Sequence, residues 1–195
     1  MNSSEVCRNE RAKGTSIGAT IMGGFGALWL ALGVQSAGLP VPRALAVVIP
    51  VFALIACLGS TLRHRLPKFA GPESPEKQEM MRSFHMVNIA QWVAIFGMVT
   101  LLRNLHLYAW IVSSIVMIVG AHFIPLARIF QAPQHLKTGM AMMACAAMAV
   151  VLPVSVRDTV ECVSAGLILW ASAAGALYCA FRRATPSQVA VRAGL

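Results

Sequence analysis

Six long stretches without a charged residue divide the 195-residue chain. Each stretch contains at least 19 consecutive residues that are not Asp, Glu, Lys or Arg. A helix needs about 20 apolar residues to cross a hydrocarbon core of about 30 Å, whereas a membrane β-barrel shows short segments of alternating hydrophobicity. The pattern predicts an all-α polytopic membrane protein, a bundle of six transmembrane helices. The predicted spans are 16–34, 44–62, 83–102, 107–130, 136–156 and 162–181.

Composition agrees with a membrane location. The chain is 57% hydrophobic and 12% charged, whereas a soluble domain carries about 25% charged residues. In a soluble protein of this length, six such helices would leave no polar face to cover them. The first stretch could also be a signal peptide, with Val-Gln-Ser at 34–36 as a cleavage site. Its apolar run exceeds the usual length of about 7–15 residues, and five spans follow, so we expect a retained helix.

The basic residues alternate between connections. The net charge of +9 is compatible with nucleic-acid binding, but only Arg43, Arg103 and Arg157 of the 16 Lys and Arg residues lie in the first, third and fifth connections. The other thirteen lie in the remaining connections and at the termini, which is the positive-inside pattern. It predicts a cytoplasmic amino-terminal tail at 1–15 and an irregular cytoplasmic tail at 182–195. Membrane lipids are the expected partners because basic residues there face anionic headgroups, and no nucleic acid is required.

Small residues recur every four positions along the first predicted helix, at Ala19, Gly23, Ala27 and Ala31. Small residues on one stripe let two helix backbones approach closely within a membrane. The stripe favours a helix-packing seam. A substrate groove along the same stripe is the alternative.

All seven acidic residues fall in predicted tails or connections, including Asp158 and Glu161. Metal-dependent membrane hydrolases need carboxylate or histidine ligands, and proton-coupled transporters usually carry carboxylates within their spans. The five cysteines show neither a CxxC pair nor a zinc-like spacing. The sequence therefore predicts no enzyme, no cofactor and no metal site.

Four polar residues within the predicted third and fourth spans form the candidate site: His85, Asn88, Gln91 and His122. The spacing of three places His85, Asn88 and Gln91 on roughly one face of a helix. The connection between these spans is so short that they should form an antiparallel hairpin. His85 and His122 are equally far from its centre, which predicts that they lie level and face each other near the cytoplasmic side. The alternative is that these residues only form hydrogen bonds that join helices.

Residues 120–128 read Gly-Ala-His-Phe-Ile-Pro-Leu-Ala-Arg. This segment resembles one in small, uncharacterised bacterial inner-membrane proteins of about this length, which carry Gly-x-His-Phe-(Ile or Leu)-Pro-Leu-Ala late in a mid-chain helix. The resemblance implies a six-span protein of the bacterial inner membrane. It implies no particular reaction.

Two functions are compatible with these features. The first is binding or transport of a small, uncharged or weakly anionic solute through the polar site, for which six spans per chain favour a homodimer. The second is a structural or accessory membrane subunit that acts with a partner and has no chemistry of its own. An intramembrane enzyme is disfavoured because acids are absent from the predicted spans.

Overall fold

The computed structural model describes residues 3–65 and 75–192, and within these ranges the chain forms helices and no strand. A single 3-10 turn precedes the fourth α-helix and another follows the fifth. The all-α class is confirmed. The helices are α1 Ser3–Ser36, α2 Val41–Arg65, α3 Pro75–Asn104, α4 Ile111–Ile129, α5 Pro133–Met148 and α6 Val154–Arg192.

Among the described residues, five helices are long and apolar enough to cross a membrane, so the chain has the character of a membrane protein. Helix α5 does not belong to this group. It has 16 residues, and its first turns carry Gln134, His135 and Lys137. The predicted fifth span, 136–156, and with it the count of six spans are therefore not confirmed. The five candidate spans are Gly14–Ser36, Leu45–His64, Gln78–Asn104, Tyr108–Ile129 and Val154–Arg182.

Several helix ends differ from the predicted boundaries. Helix α1 already begins at Ser3 and α6 continues to Arg192, so the described parts of both predicted tails are helical; residues 1–2 and 193–195 lie outside the described ranges. Good helix formers near the amino terminus favour this early start; they are Glu5, Arg8, Glu10, Arg11, Ala12 and Lys13. Helix α6 starts at Val154, directly after Pro153, whose carbonyl oxygen accepts the first helical hydrogen bonds.

The early start of α6 corrects one expectation about the acidic residues. Asp158 and Glu161 were expected in a connection, but both lie in the first turns of α6, inside a candidate span. A search for uncharged stretches ends one stretch at residue 156 and begins the next at residue 162, so both acids fall between them. The helix nevertheless includes them because Pro153 sets its beginning and Glu161 is buried against α4.

Helix α6 contacts four other helices, α1, α2, α4 and α5. Helix α1 lies between α2 and α6, α4 lies between α3 and α5, and α5 packs on α6. Helix α6 is central, with 39% of its span window buried, whereas α3 is peripheral, with 11%. The core follows the contacts of α6 with its neighbours and includes Leu169, Met142 and Val116.

Close backbone approaches occur where glycines meet. On the α1–α6 contact, a Cβ at Gly166 would lie 2.8 Å from the carbonyl oxygen of Gly26, and on the α4–α5 contact, a Cβ at Gly139 would lie 2.5 Å from that of Gly120. Trp170 Nε1 donates a 3.0 Å hydrogen bond to the Gly23 carbonyl across the first of these contacts. Small residues allow such approaches where lipid provides no hydrophobic drive for association.

The predicted stripe of α1 is only partly buried, and Gly23 within it packs against α2. Ala19 and Gly23 are buried, and Ala27 and Ala31 are half-buried. A Cβ at Gly23 would lie 2.8 Å from Ile55 Cγ2 on α2. The face of α1 that meets α6 instead carries Gly26 and Gly33.

Candidate histidine site and a second buried polar cluster

A continuous chain of aromatic and imidazole rings joins the ends of α3, α4 and α5. Phe84 lies 5.6 Å from Phe130, His135 lies 6.1 Å from Phe130 and 5.9 Å from Phe123, and His122 lies 6.2 Å from Phe123, measured between ring centroids. His85 extends the chain at 5.9 Å from Phe84. We call these residues the His–Phe cluster: Phe84, His85, His122, Phe123, Phe130 and His135.

The turn between α4 and α5 builds this cluster. Gln131 adopts a positive φ of 48°, which reverses the chain, and Pro133 then opens α5 with its φ already suited to the first helical turn. His135 therefore lies in the first turn of α5, beside rings from the last turns of α4. Its ring stacks on Phe123 with an interplanar angle of 24°.

His122 is half-buried between α4 and α3. The backbone of Val87 is a hydrogen-bond partner of its ring, while its Nδ1 is buried and has no hydrogen-bond partner among the described residues. Nδ1 of His122 can donate or accept a hydrogen bond, depending on which ring nitrogen carries the proton.

His135 has a similar unsatisfied atom. Its Nδ1 is buried without a hydrogen-bond partner in the described part of the chain. Burial lowers the pKa of His135 because an imidazolium loses solvation there. The neutral ring of His135 is therefore favoured. The rings of His122 and His135, each with an unsatisfied Nδ1, lie 6.2 and 5.9 Å from the ring of Phe123.

The four residues of the predicted site occupy different surroundings. Asn88, Gln91 and His122 are half-buried, whereas His85 is exposed. The α3 residue whose backbone meets His122 is Val87, two positions after His85. Two residues correspond to a rotation of about 200° around a helix, so the contact face of α3 presents Phe84 and Val87 rather than His85.

A hydrogen bond between hydroxyl groups lies one turn along α5 from His135. Thr138 Oγ1 and Ser172 Oγ are 2.7 Å apart, and Thr138 is buried. Thr138 also donates to the carbonyl oxygen of Gln134. This pair joins α5 to α6, so the polar groups beside the His–Phe cluster continue onto the central helix.

A second polar cluster lies near the start of α6 and was not predicted as a site. Ser113 Oγ donates a 2.8 Å hydrogen bond to Glu161 Oε2, and the guanidinium carbon of Arg157 lies 4.2 Å from the ring centroid of Trp110. Glu161 is 0% exposed and Arg157 5% exposed. We call Trp110, Ser113, Arg157 and Glu161 the Glu161 cluster. Glu161 lies inside a candidate span. The absence of acids from the spans, which was the argument against an intramembrane enzyme, therefore no longer holds.

The three histidines of the His–Phe cluster are not grouped as ligands of one metal ion. Within residues 3–65 and 75–192, no group of three or more His, Cys, Asp or Glu side chains is placed to hold a metal ion. The His–Phe cluster offers imidazole nitrogens among phenyl rings, and the Glu161 cluster offers one carboxyl, one guanidinium and one hydroxyl. These are groups suited to hydrogen bonding and proton exchange.

No protein-family model matches the chain, and no curated protein or solved structure matches it. The fold and the two clusters define an all-helical protein of membrane character with buried polar groups at two places in its helix bundle.

Three ionisable residues of these clusters, His135, Arg157 and Glu161, were not predicted as site residues from the sequence. His135 stands in the short segment before the predicted fifth span, where a histidine is expected to face water. Only the pair of Pro133 and His135, with the proline at a helix start, could have indicated that the ring folds back onto α4. Glu161 could have been found from Pro153, which predicts a helix start at Val154, seven residues before the acid.

Proposed function

We propose that this chain is a six-span protein of the bacterial inner membrane that binds a small, uncharged or weakly anionic solute at the His–Phe cluster, and that it transports this solute. One observation carries the proposal: the unsatisfied Nδ1 atoms of His122 and His135, whose rings both lie near the ring of Phe123. A buried polar group without a partner costs about 1–3 kcal/mol. A solute with hydroxyl, amide or carboxyl groups would supply the missing partners.

The surrounding rings determine what kind of solute fits. Phenyl faces of Phe84, Phe123 and Phe130 favour a molecule with an apolar or planar part. Neutral imidazoles recognise hydrogen-bonding groups without a full charge, which agrees with the lowered pKa of His135. A strongly charged solute would find no counter-charge in these rings.

Six spans follow if α5 crosses together with the 3-10 turn Ala149–Val151. Residues 136–148 of α5, the part that follows His135, would extend about 20 Å at 1.5 Å per residue. Three 3-10 residues at 2.0 Å each would add about 6 Å. The total approaches the hydrocarbon thickness of about 30 Å. The alternation of basic residues then supports cytoplasmic termini.

The topology can be tested with reporter fusions. We expect external signals from fusions after residues 39, 106 and 152, and cytoplasmic signals from fusions after 70, 131 and 192. The reason is that six crossings with cytoplasmic termini place these positions on alternate sides. A five-span protein would give the same side for positions 131 and 152, which would contradict the six-span arrangement and leave the five candidate spans intact.

Solute binding can be tested on protein purified in mild detergent. Small molecules and lipids that co-purify are extracted and identified by mass spectrometry, from the parent and from His122→Phe. We expect at least one small polar molecule to be enriched with the parent and depleted by about tenfold in the variant, the loss of one hydrogen bond to an uncharged group being about 1–2 kcal/mol. The matched control is His64→Phe, an exposed histidine at the end of α2, which should retain the molecule. Identical profiles for His122→Phe and the parent would contradict binding at this cluster.

A structural or accessory role is the second candidate, and the exposed face of α3 favours it. Met86, Ile89, Val93 and Phe96 are each more than 60% exposed. This face would be covered by membrane lipids, by a second copy of the chain or by a partner membrane subunit. Co-purification of a stoichiometric partner without any small molecule would favour this role over solute binding.

A further inference from the structure

Glu161 combines complete burial with an incomplete set of hydrogen bonds. Its side chain is 0% exposed, Oε2 accepts from Ser113 on α4, and Oε1 is buried without a partner among the described residues. The residue lies seven positions after Val154, at which α6 begins. At 1.5 Å per residue, about 10 Å of helix separates the carboxyl from that end.

The nearest cation on the helix is engaged elsewhere. Arg157 precedes Glu161 by one turn, but its Nη2 donates to the carbonyl oxygen of Leu152 at 3.0 Å and its guanidinium lies over Trp110. Its Nε is buried without a partner in the described ranges. The guanidinium therefore attracts Glu161 across one turn without forming a hydrogen bond to it.

The other titratable groups around Glu161 do not supply a positive charge. On α6 these are Asp158, one turn before it, and Cys162, the next residue; on α5 it is Cys145. Helix α4 contributes the uncharged hydroxyl of Ser113. An ionised carboxylate removed from water is costly unless it is paired, and such groups neutralise instead.

We propose that Glu161 is a proton-binding site within the membrane span, with Oε1 as the atom that takes up and releases the proton. Ser113 holds the carboxyl in place through Oε2 and leaves Oε1 available. Proton uptake converts the carboxylate to a neutral acid, and release returns the proton to water beyond the start of α6. Acids within membrane spans are functional candidates by default. This inference does not depend on solute binding at the His–Phe cluster.

The test uses dicyclohexylcarbodiimide on the full chain in mild detergent. This apolar reagent takes the proton of a carboxylic acid and adds the carboxylate at its central carbon, so it labels protonated carboxyls in apolar surroundings. We expect peptide mapping by mass spectrometry to place the label on Glu161. Above the midpoint of the pH profile, labelling should fall about tenfold per pH unit, as the protonated fraction does.

Three variants sharpen the result. Glu161→Gln should lose the label, whereas Asp158→Asn, which changes the half-buried neighbouring acid, should retain it. Ser113→Ala should keep the label but move the midpoint to higher pH, because the ionised carboxyl loses a donor. Absence of label on Glu161 in the parent, labelling that does not vary with pH, or equal loss in Asp158→Asn would each overturn the proposal.

Discussion

Gly139→Ala should destabilise the protein by about 1–3 kcal/mol, the usual cost of inserting a methyl group into a well-packed contact. The added Cβ would lie 2.5 Å from the carbonyl oxygen of Gly120 and 2.9 Å from Cβ of Phe123. The first of these atoms belongs to the α4 backbone, so no side-chain rotation can relieve the clash. The two helices must separate, and Phe123 must move relative to His135.

The measurement is the temperature at which protein in mild detergent stops eluting as a single species after heating. Gly97→Ala is the matched control because a Cβ at this helical glycine meets nothing within 4 Å. It should leave stability unchanged or raise it by up to about 1 kcal/mol through helix propensity. Equal melting of the two variants would show that α4 and α5 do not approach through their backbones.

The helical class could be predicted from the sequence because a long uncharged run within a membrane satisfies its backbone hydrogen bonds internally as a helix. The helix ends could not, since counting charges treats every charged residue as exposed to water. Arg157 and Glu161 are separated by four positions and therefore share one side of α6. That side packs on α4, so both charges belong to the helix and are buried.

Helix contacts were only partly predictable. A spacing of four at Ala19 and Gly23 indicates one packing face, but α1 contacts both α2 and α6 and needs two faces. The second face carries Gly26 and Gly33, which are seven residues apart, or about two turns. Sequence spacing identifies faces, whereas the choice of neighbour depends on tertiary packing.

The candidate site shows a similar limit. Equal distance from the hairpin turn predicts the depth of His122 to within two residues, since its partner on α3 is Val87 rather than His85. An error of about 3 Å in depth is small. The accompanying rotation is large enough to place His85 on the exposed side of the helix. Depth is thus much easier to predict than the direction of a side chain.

The His–Phe cluster retains two groups that lower stability, and this is the strongest reason to expect a function for it. Native proteins satisfy most buried polar groups, so each exception needs an explanation. A phenyl ring at either histidine would fill similar space without an unsatisfied nitrogen. Stability alone therefore does not account for the imidazoles, and the proposed solute binding would account for them.

His135→Phe should accordingly stabilise the protein by about 1–3 kcal/mol, the cost of an unsatisfied buried polar group. The phenyl ring keeps the stacking on Phe123 and removes the buried Nδ1. The variant should also lose part of the pH dependence of stability. Burial lowers the pKa of His135 in the folded protein, so the unfolded chain binds the proton more readily.

The sign of this pH effect follows from proton linkage. Stability falls as pH drops below about 6.5, the ordinary histidine pKa, because protons then favour the unfolded chain. Above that pH His135 is neutral in both the folded and the unfolded protein, so this loss of stability is absent.

Melting of the parent in mild detergent should therefore shift to lower temperature between pH 7.5 and 5, and His135→Phe should reduce the shift. The control is His85→Phe, which changes an exposed ring of the same cluster and should keep the shift because His135 remains. A His135→Phe protein that melts below the parent at every pH would show that the imidazole stabilises the fold, and the argument for a binding role would lose its basis.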